Sequence, residues 1–204
     1  MTLFLNRLTH NPGHRDVRRD LGNAYDMLRT LARAFASGPD EPVQPFLWRL
    51  ETSLEADQPM QLVQSQGEPR WEQLPAGYLQ AHAQAQRSWP PEAVFAKGKS
   101  VAFRVRANPT VNRVGLWREE EQLEWLQRQA EGLGLGAVAA TISHVERLRC
   151  RRGGAVMTVA TAQFDGQAVI ADSDALAAGV RSGIGHARML GLGLGLVSVA
   201  LLRA

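Results

Sequence analysis

Ser100-Val101-Ala102-Phe103-Arg104-Val105-Arg106-Ala107-Asn108, closed by Pro109, is the stretch on which the fold turns. Val101, Phe103, Val105 and Ala107 alternate with the residues between them, the period of a strand with a buried face. Pro109 has no N–H to give a ladder and stops the strand. Arg104 and Arg106 then share one face, and two guanidinium groups side by side do not point into a dry core. Contact with nucleic acid and an edge salt bridge, with Glu119 to Glu124 as possible partners, are the two open readings.

Upstream of Ser100 the pattern predicts a strand over 2–10, a polar loop over 11–23 holding Pro12 and Gly13, and a helix from Ala24 to about Ala36. Asn23 can cap that helix with Asp26 three positions on. Strands are expected at Phe46–Glu51 and Met60–Gln66, after a turn at Asp40–Pro45. A weak or irregular helix, interrupted by Pro75, is expected over Trp71–Ala81. Trp89-Pro90-Pro91 and Lys97-Gly98-Lys99 mark a linker. Downstream, a helix is expected at Leu116–Glu131 and strands at Val138–Arg149 and Ala155–Phe164, joined by a basic turn. Asp165-Gly166 reads as a hairpin, followed by a short strand Gln167–Ile170. A helix at Asp172–Val180 is capped by Asp172 or Ser173, and Leu194–Leu201 closes the chain as a strand. The order is β, α, β, β, then again β, α, β, β, α, β. This fits an α+β chain of two ferredoxin-like (RRM-like) units in tandem, antiparallel sheets with helices on one face. The expected boundaries are 1–90, a linker at 91–99, and 100–204.

The chain has 204 residues, 45% hydrophobic and 21% charged, in the range of a soluble globular protein. A single cysteine, Cys150, excludes an intramolecular disulfide framework and a thiolate metal cluster. No leader pattern and no apolar run of bilayer length is present, so a cytoplasmic chain without membrane contact is expected. Lys+Arg number 23 against 20 Asp+Glu, a formal +3, and all but Lys97 and Lys99 are arginine. Arginine's planar fork suits phosphate and base edges. The arginines are clustered: Arg7, Arg15, Arg18 and Arg19 near the first strand, and Arg147, Arg149, Arg151 and Arg152 with only Glu146 against them. Beyond Asp174 no acid remains, while Arg181, Arg188 and Arg203 do. Such segregation gives a face that attracts polyanions.

The segment Gly183–Gly195 lacks the Gly-Lys-Ser/Thr ending of a P-loop and the later acid of a dinucleotide fold. Its backbone N–H groups, aided by Arg188, are candidates to cradle a phosphate; a tightly packed turn is the alternative. His10, His14, His82, His144 and His186 have no metal-ligand spacing, so neither metal nor other cofactor is expected. Cys150 lacks a base partner and reads as filler. Tyr25, Arg29 and Arg33 form a helical stripe in which tyrosine can bond or stack and the arginines neutralise phosphate, or all three form a core edge.

Asp20-Leu21-Gly22-Asn23-Ala24-Tyr25-Asp26-Met27, Phe46-Leu47-Trp48-Arg49-Leu50, Phe103–Pro109, Glu121–Leu126, the Gly183–Gly193 loop and the closing Val197-Ser198-Val199 together resemble the CasE family over nearly the whole chain. That family is the CRISPR repeat-processing endoribonuclease subunit of type I-E Cascade. The resemblance implies binding of the CRISPR repeat RNA hairpin and metal-free cleavage at the base of its stem. The 2′-hydroxyl attacks the adjacent phosphate, and the crRNA product stays bound with the other Cascade subunits. It implies RNA contacts from Arg15, Arg18, Arg19, Arg104, Arg106, Asn108, Arg113, Arg149, Arg151, Arg152 and Arg188, and from Gly183, Gly185, Gly191 and Gly193. The family pattern pairs a tyrosine with a histidine three residues on. Here Tyr25 is followed at that position by Leu28, which transfers no proton. Either His14, His186 or Tyr25 substitutes, with Arg29 and Arg33 stabilising charge, or the chain binds and cuts slowly or not at all. The loop is also about one Leu-Gly unit longer than usual.

Overall fold

The computed structural model describes residues 2–36, 38, 42–51, 59–80, 85–186, 188 and 191–202. Asp40, His82, Arg203 and, in the glycine-rich loop, Ala187, Met189 and Leu190 lie outside them. The alternating stretch forms β5 (Ser100–Ala107), with Val101, Phe103, Val105 and Ala107 buried. Before it come β1 (Leu3–Thr9), α1 (Arg15–Leu21), α2 (Ala24–Ala32) with a 3-10 turn at Arg33–Phe35, β2 (Phe46–Glu51) and β3 (Met60–Ser65). A second 3-10 turn at Trp71–Gln73, β4 (Ala85–Trp89) and the short α3 (Pro91–Val94) follow. After β5 come a small hairpin of β6 (Thr110–Val111) and β7 (Val114–Gly115), then α4 (Glu119–Gly132), β8 (Leu135–Arg152), β9 (Ala155–Ile170), α5 (Ser173–Ser182) and β10 (Val197–Leu201).

The strands form two antiparallel four-stranded sheets, ordered β2-β3-β1-β4 and β10-β5-β9-β8. In each, the first strand lies between the third and the fourth, and helices flank the sheet. This is consistent with tandem ferredoxin-like units. In the first unit the second helix is reduced to the Trp71–Gln73 turn.

Three expectations are corrected. The polar loop over 11–23 contains α1, which offers only Val17 and Leu21 as apolar residues. Its start is fixed by His14, whose side chain accepts from the Asp16 N–H at 3.2 Å. Residues 85–89 form β4, a polar edge strand paired with β1. Asp165-Gly166 is no turn: β9 runs through it, with Asp165 opposite Arg104 and Gly166 opposite Phe103. A Cβ on Gly166 would lie 2.6 Å from the Phe103 ring, so glycine is there for close approach. The turn expected between Arg149 and Ala155 falls at Gly153-Gly154, with φ of 54° and 86°, the two-residue left-handed turn whose twist matches the strands.

One core gathers β5, β9, α4, α5 and Leu3 of β1; another gathers α2, Trp48, Val63, Trp71 and Tyr78. The sheets are joined by Arg49, which is 1% exposed. Its guanidinium donates to Arg104 O (3.1 Å), Leu196 O (3.1 Å) and Ser198 Oγ (2.9 Å), and twice to Glu51 Oε1 (2.8 and 2.5 Å). A buried charge is tolerated when its donors are matched in this way. Gln64 Nε2 adds a bond to Val180 O at 2.6 Å.

Candidate nucleic-acid interface

β8 is an edge strand, and its outer half with β9 forms an arm ending at Gly153-Gly154. Strand alternation splits this arm into two faces. Leu148, Cys150, Met157 and Val159 pack with Leu192, Leu194, Ala24 and Tyr25. Arg147, Arg149 and Arg151 fall on the other face and are exposed, as is Arg152 at the turn. Arg149 and Arg151 form no side-chain ion pair with any described residue. Cys150 is 1% exposed, and burial pushes its thiol pKa up, which makes it a poor nucleophile.

One side chain both caps α2 and clips the arm to it. Asn23 caps the helix, accepting from the Tyr25 N–H at 3.4 Å. The same amide accepts from Arg151 N–H at 3.0 Å and donates to Arg151 O at 3.2 Å, as a neighbouring strand would. Its Nδ2 also donates to Asp26 Oδ2 at 2.7 Å. Asp26 therefore supports the cap through its side chain. Tyr25, half-buried, is brought under Arg152, whose guanidinium carbon lies 5.5 Å from the ring centroid. This distance is in the cation–π range.

Leu28 lies one turn on, half-buried against Gly191. A Cβ there would lie 2.6 Å from Leu28 Cδ1. Leu28 shares a cavity of about 340 Å³ with Ser182, Arg188 and Gly191. The cavity thus holds a cation and a hydroxyl beside an apolar side chain. Arg29 is exposed, and Arg33 is exposed at the C-cap of α2, in the 3-10 turn.

The glycine-rich loop is tightly packed. Trp48 Nε1 donates to Gly191 O at 2.7 Å, and a Cβ on Gly193 would lie 2.8 Å from the Trp48 ring. Several N–H groups are spent internally: Ile184 to Gly195 O, Gly195 to Arg106 O and Gly191 to Arg188 O. The N–H of Gly183 likewise closes α5. Arg188 donates to Gly183 O. Gly185 and His186 line a cavity with Arg188.

Arg104 and Arg106 are engaged in ion pairs, with partners that are not the α4 glutamates. Arg104 bonds Asp165 at 2.5 Å and Glu51 at 3.3 Å, and the Asp165 bond raises its pKa. Burial pushes Asp165 up, but hydrogen bonds from Arg104, Ser143 and Gln163 hold it below the usual carboxylate range. Arg106 pairs with Glu146, its Nε without a partner; burial, then the charge of Arg49, lowers its pKa. Asn108 is half-buried, with Oδ1 unpartnered. Arg113 is exposed at the β6–β7 turn with φ of 67°.

At α1, Arg15 is exposed beside Asp16 (3.7 Å), and Arg18 donates to Gly13 O at 2.8 Å. Arg19 binds Asp16, Asp20 and Thr30. Asp20 also accepts from the Tyr78 hydroxyl at 2.7 Å. His14 caps α1 and faces the Tyr78 ring (5.9 Å between centroids), and none of its described contacts involves Tyr25. The structure thus gathers Tyr25, Leu28, Gly191, Arg188, Arg151 and Arg152, with His14 elsewhere. Sequence reasoning missed Arg49, the second role of Asn23, and the exposed Trp117, over which Arg147 stacks at 4.6 Å. Among the described residues no group of three or more His, Cys, Asp or Glu is placed to hold a metal ion, and no helix is long and apolar enough to cross a membrane.

A family model described as CRISPR associated protein matches residues 3–200. The CRISPR-associated endoribonuclease Cse3 of Thermus thermophilus is 33% identical over 213 residues, spanning 94% of this chain and 98% of that protein. The structure of Thermus thermophilus Cse3 bound to an RNA representing a pre-cleavage complex is similar at TM-score 0.87 and 33% identity, covering 98% of this chain and 100% of that one. A chain of a CRISPR RNA-guided surveillance complex, pre-nicking, is similar at TM-score 0.73 and 26% identity, covering 98% and 100%.

Proposed function

The chain belongs to the CRISPR-associated Cse3 (CasE) family of endoribonucleases, and from that premise we propose that it binds the stem-loop of CRISPR repeat RNA and processes the precursor to crRNA. The observation that carries this reading is the basic arm of β8 and β9 docked on the helix of Tyr25. Arg149, Arg151 and Arg152 meet phosphates on the stem, while Arg104 and Arg106 are held in ion pairs with Asp165, Glu51 and Glu146. In the cleavage step the 2′-oxygen attacks the adjacent phosphorus and the bond to the 5′-oxygen breaks. One proton leaves the 2′-hydroxyl and one reaches the 5′-oxygen, giving a 2′,3′-cyclic phosphate and a 5′-hydroxyl with no metal. Tyr25 and the cations Arg152 and Arg188 serve the charge that develops at the phosphate.

Leu28 favours a second reading: a slow or silent subunit that holds the crRNA. Losing one proton carrier costs roughly 10²–10⁴-fold, so slow turnover needs no substitute group. The finer architecture belongs to the same proposal: RRM-like units over 1–90 and 100–204 joined at 91–99, and a place in a cytoplasmic Cascade complex with its other subunits. Similarity to a chain of an RNA-guided surveillance complex supports that place.

The test is a gel-shift titration at physiological salt with the repeat hairpin and an unrelated duplex of equal length. Single-turnover cleavage in EDTA, with a 2′-deoxy substitution at the cut as control, accompanies it. Tight, salt-sensitive binding of the hairpin alone is expected. Equal affinity for both RNAs would sink the specificity, and metal-dependent cutting would sink the mechanism.

A further inference from the structure

Arg188 lines not only the Leu28 cavity but a second one of about 440 Å³, walled by the start of the β6–β7 hairpin, α4 and the glycine-rich loop. Its polar lining is Thr110, Arg128, Gln129, His186 and Arg188, and no acidic residue lines it. Arg128 projects from α4, is exposed, and forms no ion pair with any described residue. Arg188 uses one N–H on Gly183 O, leaving the rest of its fork. In the adjoining wall the Thr110 hydroxyl and Asn108 Oδ1 are buried without partners, a state that native structures rarely leave unexplained. The volume is that of a pocket for one nucleotide-sized group. Two arginine forks and amide and imidazole N–H groups, with no carboxylate facing them, match a phosphate.

We propose that this cavity holds a phosphate of the RNA strand that continues past Tyr25 and Leu28 beyond the base of the stem, with Arg128 and Arg188 as its cations. This rests on the RNA-binding reading above and adds a contact outside the stem. Arg188 is the link: one side chain borders both the Leu28 cavity and this one, so a strand leaving the first meets the second within a residue's reach. The same phosphate chemistry could come from free inorganic phosphate, and the experiment separates the two sources.

Two uncleavable hairpins are compared, both 2′-deoxy at the cut, one ending at the stem and one carrying three unpaired 3′ nucleotides. Each is titrated against the wild-type chain and Arg128→Ala, an exposed helix position where alanine is well tolerated; thermal melting verifies the fold. The wild type is expected to bind the extended hairpin about tenfold more tightly than the blunt one, the scale of one charge-assisted contact. Arg128→Ala erases that gap, lowers the log–log salt slope for the extended RNA by about 0.7, and leaves the blunt hairpin unaffected. A gap that survives in Arg128→Ala overturns the proposal. So does inorganic phosphate raising the melting point in an Arg128-dependent way while the extension adds nothing, which would make this a free-phosphate site. If the blunt hairpin binds no better than an unrelated duplex, the RNA-binding reading itself has failed and this site falls with it.

Discussion

Leu28→His puts the proposed chemistry to its sharpest test. Leu28 is half-buried, and its Cδ1 lies 2.6 Å from where a Cβ on Gly191 would sit, so the loop closes against it with little slack. An imidazole is close to the isobutyl group in bulk, and its ring nitrogens would enter the cavity of about 340 Å³ that already holds Arg188 and Ser182. The packing cost is about 1–2 kcal/mol of stability, typical of a volume-conserving swap that brings a polar atom to a half-buried site. Against this, a positioned proton carrier is worth roughly 10²–10⁴ in rate, or about 3–5 kcal/mol of barrier. The gain and the cost are read separately, one in the cleavage step and the other in melting. Single-turnover cleavage of the repeat hairpin in EDTA, with protein in excess, reports the first. Leu28→Asn is the control: it adds polarity of similar size without a titrating nitrogen. The expected result is a rate gain of at least about a hundredfold for histidine, little for asparagine, and cyclic-phosphate ends on the product. An unchanged rate with intact folding and RNA affinity would refute the idea that only this side chain is missing, and would mean that Tyr25, Arg152 and Arg188 are not arranged for the reaction.

Other perturbations probe the scaffold. Asn23→Ala removes both the cap of α2 and the clip on Arg151, at about 1 kcal/mol for the cap alone; hydrogen exchange at the Arg151 amide should accelerate at least about tenfold, and unchanged protection there would show that the arm is held by Leu148 and Cys150 instead. Gly193→Ala, at φ 74° and 2.8 Å from the Trp48 ring, should cost about 2–4 kcal/mol. At Gly153, with φ 54° and open space around it, alanine should cost only about 1–2; equal losses in urea unfolding would contradict the packed-loop description. His10 is fully buried, and burial lowers its pKa below the ordinary 6.5, opposed in part by its hydrogen bond to Gln61. The unfolded chain therefore takes up a proton that the folded chain refuses, so stability is complete above pH 6.5 and declines as pH falls below it. His10→Gln should flatten the difference in unfolding free energy between pH 7.5 and 5.5, and an undiminished difference would assign the acid sensitivity to another group.

Where one physical pattern dominated locally, the fold was legible. β5 shows strict alternation because each face of the strand meets a different environment, and α2 shows an apolar stripe and a cap. Phe46–Glu51 was placed to the residue. α1 was not legible, because seven residues with two apolar positions carry no periodicity, and β4 was not, because an edge strand of Gln86, Arg87 and Ser88 needs only backbone pairing. Asp165-Gly166 misled because glycine serves turns and close approach alike, and only Phe103 across the ladder tells which. At the site, the shared face of Arg104 and Arg106 was readable. Their partners Glu51, Asp165 and Glu146 come from three other strands and were not.

That last point changes what the charge means. The near balance of 23 basic against 20 acidic residues conceals two populations of arginine. Arg19, Arg49, Arg104, Arg106 and Arg181 are matched to Asp16, Asp20, Glu51, Asp165, Glu146 and Glu92 and serve the fold. Arg29, Arg33, Arg128, Arg149 and Arg151 are exposed and pair with no described acid. These pairs take up carboxylates that would otherwise face the unpaired arginines, so the arm and α2 carry more local positive potential than a formal +3 suggests. Each unpaired arginine that meets a phosphate adds to the salt slope of RNA binding, whereas those already held in ion pairs contribute little. Substituting Arg149 should therefore reduce the slope, while substituting Arg104 should lower melting temperature first. The reverse order would mean that the ion pairs of β5 open to receive RNA.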